Sequence, residues 1–86
     1  MKTITKFSIE RFMTKQLGLS GNMLVLFAAM WSDSNGGKDA VNDDYIRYSA
    51  AINTSIPTYY GCLKKLEERG VLKMEAKGIY TIVKSW

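Results

Sequence analysis

The stretch NTSIPTYYGCLKKLEERG, residues 53–70, decides how the rest of the chain is read. Ser55 is a helix N-cap by type, because its hydroxyl can accept from a free amide in the turn that follows. Pro57 falls in that first turn, where a missing amide hydrogen costs nothing. Gly70 stands just past the last helical residue, at the C′ place where left-handed backbone is common. Spaced at helical periodicity, Tyr59, Cys62, Leu63 and Leu66 form one apolar stripe. The opposite line is Pro57, Tyr60, Gly61, Lys64 and Glu68. This pattern predicts a helix over about 55–69, anchored on one side and presenting an unusual face on the other.

Working upstream, Asn42 is the expected cap of a helix over about 42–52, with Asp43 and Asp44 near its positive end. The two aspartates could also be read as a metal site, but capping explains them with fewer assumptions. Tyr45, Tyr48, Ser49 and Ile52 share a stripe, and Ser49 is small enough for a close helix crossing. Asn53 tolerates the left-handed conformation that ends a helix. A helix that stops near Asn53 and another that starts at Ser55 leave only a tight turn, the helix-turn-helix arrangement.

Further upstream, NMLVLFAAMWS is apolar almost all round and belongs at the centre of a core, as a helix over about 20–33. Leu24, Phe27, Ala28 and Trp31 are expected on one side, with Val25 and Met30 on the flanks. A cofactor box is the sharper reading of its methionine and aromatic residues; packed core is the simpler one. Ser20 is its N-cap by type, and Leu19 the apolar residue just outside. A first helix over about 8–17, capped by Ser8 and ended by Gly18, would place Ile9, Phe12 and Met13 on one face, with Leu17 as a further candidate. Residues 1–6 read as a loose arm. The run SDSNGGKD is a loop by composition, and Ala40 and Val41 could add a very short strand.

Downstream of Gly70 the period changes to two, which predicts strands over about 71–76 and 79–84 around a turn at Ala76-Lys77-Gly78. Leu72 and Met74 would face Tyr80 and Ile82 toward the core, with Lys73 and Glu75 outward. An isolated hairpin is marginal, so this one must lean on the helices. The fold class is therefore mostly α with a small β-hairpin, in one domain over 1–86.

Composition narrows the function. The chain has 86 residues, of which 47% are hydrophobic, enough for one small core. No apolar run reaches the roughly 20 residues that span a bilayer, and the start lacks a signal-peptide pattern. A cytoplasmic protein with no membrane partner is expected. There is one cysteine and no histidine. Cys62 falls on the buried stripe and reads as a small hydrophobe. Without histidine, the commonest general base and metal ligand is missing, so neither catalysis, a metal nor a cofactor is expected. The net charge of +4 is unevenly placed. Basic segments at 1–16 and 54–86 flank an acidic one at 33–53, a pattern that suits a polyanion-binding face as well as an ordinary solvated surface.

The order helix, helix, short strand, helix, tight turn, helix, hairpin resembles the winged helix-turn-helix fold. Leu63-Lys64-Lys65-Leu66-Glu67-Glu68-Arg69-Gly70-Val71-Leu72 looks like that family's join between recognition helix and wing. Ser55 and Thr58 match the capped start of the recognition helix, and Ser49 the small residue in the helix before it. Leu19-Ser20-Gly21-Asn22 before an apolar helix resembles small replication or regulatory modules of plasmids and phages. The likeness covers about residues 17–83.

It implies a protein that binds double-stranded DNA, with helix 55–69 in the major groove and the wing over 73–79 on the backbone. Carried over residue by residue, Lys64, Lys65, Lys73 and Lys77 would pair with phosphates. Ser55, Thr58 and Tyr60 would donate to phosphates or base edges, and Gly61 would let the backbone approach. The chain departs from the family in lacking any arginine in this helix before Arg69, so bidentate guanine recognition from its first half is missing. Thr54 also stands where an apolar residue is usual. The alternative function is a protein-interaction module that uses Ile56, Pro57, Tyr60 and Gly61. Phe7, Phe12 and Trp86, near the chain ends, suggest a homodimer.

Overall fold

Local capping and hydrophobic periodicity account for most of the elements in the computed structural model, which describes residues 9–84. They are α1 (Arg11–Lys15), α2 (Gly21–Asp33), β1 (Val41–Asn42), α3 (Tyr45–Ala51), α4 (Ile56–Glu68), β2 (Leu72–Ala76) and β3 (Ile79–Ile82). Four helices thus accompany one antiparallel sheet of three strands in the order β1-β3-β2.

Helix α4 forms as its sequence requires. The Ser55 hydroxyl accepts the Thr58 amide at 3.4 Å, Pro57 lies in the first turn, and Gly70 follows at φ 79°. Its stripe of Tyr59, Cys62, Leu63 and Leu66 is buried. Asn53 takes the expected left-handed backbone, φ 54°, in the turn that separates α3 from α4. The Thr54 amide closes that turn on the Ser49 carbonyl at 3.0 Å.

Helix α2 is the centre of the core. Leu26, Phe27, Ala28, Ala29 and Met30 are consecutive and fully buried, so neighbours enclose this helix on every side. Leu24 and Trp31, expected on the side of Phe27 and Ala28, are partly buried and pack against this core without being enclosed by it. Trp31 packs with Phe12 and Phe27 at ring separations of 4.9 and 6.1 Å. The loop after α2 is built on Ser34, whose buried hydroxyl donates to the Trp31 carbonyl and accepts the Gly37 amide.

Several expectations need correction. The short strand is Val41–Asn42, not Ala40–Val41, and it pairs with β3 through Val41–Tyr80 and Asn42–Ile79. The hairpin is therefore part of a larger sheet. Asn42 consequently does not cap α3; that place belongs to Asp44, which accepts the Arg47 amide at 3.3 Å. A strand ladder competes for residue 42, and the cap shifts to the next carboxylate that can reach a free amide. Tyr45, expected on the buried stripe, is exposed at the start of α3. Helix α1 is shorter than expected, with Glu10 at its N-cap position and no side-chain cap; Ser8 lies outside the described residues. Strand β2 begins at Leu72 and β3 ends at Ile82, each short of the expected limits.

Met74 has the right facing but the wrong burial. It pairs with Tyr80 on the same side as Leu72, yet is 50% exposed. The reason is that β2 is an edge strand of which only Leu72 is buried, while Tyr80 on the middle strand fills the core position. Glu75 is the extra residue of a bulge between the Met74–Tyr80 and Ala76–Ile79 pairs.

Candidate nucleic-acid interface

The exposed side of α4 and the β2–β3 hairpin enclose an open groove of about 470 Å³, lined by Tyr60, Leu63, Lys64, Glu67, Glu68, Met74 and Tyr80. Leu63 and Tyr80 are its buried residues, while Tyr60 and Met74 are about half-exposed.

One carboxylate organises the upper end of this face. Asp43, in the link between β1 and α3, accepts the Tyr59 hydroxyl at 2.5 Å and the Tyr60 hydroxyl at 2.8 Å. Its own amide donates to the Gly78 carbonyl in the hairpin turn at 2.8 Å. Asp43 therefore joins the hairpin turn to the first half of α4, and its role is this junction, not the helix cap expected for it. The Tyr60 hydroxyl, held by Asp43 and then by partial desolvation, has its pKa pushed up to about 12. Burial first, and then the same carboxylate, raises Tyr59.

A second junction lies behind it. Asp33 at the end of α2 accepts from Arg47 at 2.5 Å and from the Tyr48 hydroxyl at 2.6 Å. Arg47 also pairs with Asp44 at 3.0 Å, so its charge is spent inside the fold. Burial raises the Tyr48 hydroxyl, with Asp33 adding to the shift.

The residues expected to contact a polyanion are placed as follows. Ser55, at the α4 N-cap, donates its hydroxyl proton to Thr58 Oγ1 at 3.0 Å. Tyr60 gives its only proton to Asp43. Of the three hydroxyls expected to act as donors, only that of Thr58 keeps its proton for an outside acceptor. Gly61 is exposed, and a Cβ built there would meet nothing within 4 Å. Lys64 borders the groove, and Lys65 is exposed on α4. Lys77 is exposed in the hairpin turn. Lys73 pairs with Thr81 across the hairpin, one residue out of phase with Met74, and so lies on the sheet face away from the groove. It also stands 3.6 Å from Glu75, which accepts the Thr81 hydroxyl at 3.1 Å. Lys64 and Lys73 thus belong to different faces.

What the sequence reading missed is Asp43. Its signal was three acidic or amide residues before α3, of which helix capping uses only one. Phe12, offered as a dimer contact, packs inside the chain against Phe27 and Trp31, while Phe7 and Trp86 lie outside the described residues. Among the described residues no group of histidine, cysteine or carboxylate side chains is arranged to hold a metal, and no helix is long and apolar enough to cross a membrane. Comparison with protein-family models, with curated proteins and with solved structures yields no match.

Proposed function

We propose that this chain is a winged helix-turn-helix DNA-binding module, a small transcriptional regulator or accessory factor of a mobile element. In this reading α4 enters the major groove and the β2–β3 turn, as the wing, touches the backbone. The observation that carries it is the Asp43 junction. By holding Tyr59, Tyr60 and Gly78 together, Asp43 keeps the helix and the hairpin turn in one fixed relation, as simultaneous contact with one duplex needs. Around that junction the first two turns of α4 carry no carboxylate, and Lys64, Lys65 and Lys77 are exposed. Glu67 and Glu68 sit at the far end of the helix.

The test is a duplex titration followed by fluorescence anisotropy at two salt concentrations. Each phosphate contact adds about 0.9 to the slope of log affinity against log salt, so three or four lysines give roughly −3 to −4. No duplex binding at about 50 mM salt would end the DNA reading.

A second reading has a specific observation behind it. Ile56 is 40% and Tyr60 41% exposed, beside Pro57 and Gly61, which suits a protein-interaction patch. That reading predicts no salt-dependent DNA binding and loss of a protein partner on Tyr60→Ala. Homodimerisation belongs to the proposal for either function; light scattering that reports one subunit across a dilution series removes it.

A further inference from the structure

The geometry points to the thymine C5-methyl group as the base feature that α4 reads, an inference that rests on the DNA reading above. A base-reading helix ordinarily offers hydrogen-bonding side chains to the edges in the major groove. Here most of the hydroxyl protons on the first turns of α4 are taken by other side chains of the protein at its surface. Ser55 donates to Thr58, and Tyr60 donates to Asp43.

Apart from the Thr58 hydroxyl, what remains outward is apolar. Ile56 and the Tyr60 ring are both about two-fifths exposed, Pro57 is exposed beside them, and the space over Gly61 is open. In the major groove the one apolar group on a base edge is the thymine methyl, and apolar side chains distinguish it by burying it. The tether to Asp43 serves this use directly. It turns the polar end of Tyr60 toward the protein and leaves the ring as the contacting surface. The exposed lysines Lys64, Lys65 and Lys77 give positive charge to the end of this face that carries Tyr60. Glu67 and Glu68, which line the groove with Lys64, lie in the last turn of α4. A nucleic acid is the occupant that matches the lysine-bearing end. Gly61, which no neighbour forces to be small, lets the backbone of α4 come close enough for such short contacts.

The experiment selects tight binders from a pool of random duplexes, then remakes the selected sequence with deoxyuridine in place of every thymidine. Only the methyl groups change. The expected result is a loss of about fourfold in affinity for each methyl that α4 buries. In Tyr60→Ala and in Ile56→Ala the difference between the two duplexes should shrink, while the salt dependence stays that of the parent. Ile56→Ala keeps the test decisive if Tyr60→Ala does not fold. Equal affinity for the thymidine and deoxyuridine duplexes, or a selected sequence without thymine, overturns the inference and leaves the DNA reading standing. Absence of binding to any duplex at low salt overturns both.

Discussion

Asp43 and Tyr60, seventeen residues apart, meet at 2.8 Å, where the phenol donates its proton to the carboxylate. The same carboxylate holds Tyr59, and the Asp43 amide holds Gly78, so one residue connects β1, the first half of α4 and the hairpin turn. A charged acceptor makes each of these tyrosine hydrogen bonds stronger than a neutral one would be.

This contact has a pH signature. The Tyr60 pKa is raised from 10.0 to about 12, so the folded chain keeps a proton that the unfolded chain has lost. The associated stability is fully present below about pH 10 and disappears as pH rises through about 12. Asp43→Asn should bring the titration back toward the ordinary phenol value. The measurement is phenolate absorbance against pH, each protein being compared with its own Tyr60→Phe counterpart. An unmoved midpoint in Asp43→Asn would show that the carboxylate does not hold the hydroxyl.

Leu63 is 1% exposed and lies at the centre of the α4 stripe. Leu63→Ala should cost roughly 2–5 kcal/mol through lost burial and the cavity left behind. Urea denaturation reads this directly, and a midpoint equal to that of the parent would mean that the stripe does not carry the core.

Gly61→Ala should separate stability from binding. Glycine inside a helix costs about 0.5–1 kcal/mol relative to alanine, and no atom opposes a Cβ at this position. The variant should therefore melt higher while binding duplex more weakly. Higher stability with unchanged binding would remove Gly61 from the contact surface.

The lysines should not be equivalent. Lys77→Ala should lower the salt slope by about one, uniformly across sequences. Lys73→Ala should change it less, because Lys73 lies on the far face of the hairpin beside Glu75. Anisotropy titrations of both variants decide it, and the reverse order would mean that the duplex lies against the other face of the sheet.

Gly37→Ala should destabilise the fold. The residue has φ 84°, which costs an L-residue roughly 1–2 kcal/mol. A Cβ there would also approach Lys84 Cε to 2.8 Å and Trp31 Cζ3 to 3.0 Å. Thermal melting without a loss would contradict the placement of this turn against Trp31.

The sequence by itself determined the features that depend on residues within a turn of one another. Ser55 capping α4, Asn53 in left-handed backbone, Gly70 ending the helix and the stripe from Tyr59 to Leu66 all follow from local sterics and a repeat of 3.6 residues. The change to period two after Gly70 likewise announced β2 and β3. Tertiary structure decided what depends on partners distant in the chain. The pairing of Val41 and Asn42 with β3 took Asn42 out of its expected cap and passed that role to Asp44. The place of β2 at the sheet edge left Met74 exposed although its alternation pointed inward. The exposed face of α4 was legible as a list of residues, but its chemistry was not. Whether a tyrosine offers its hydroxyl or its ring depends on where the nearest carboxylate folds, and only packing of β1 against the hairpin brings Asp43 to Tyr60.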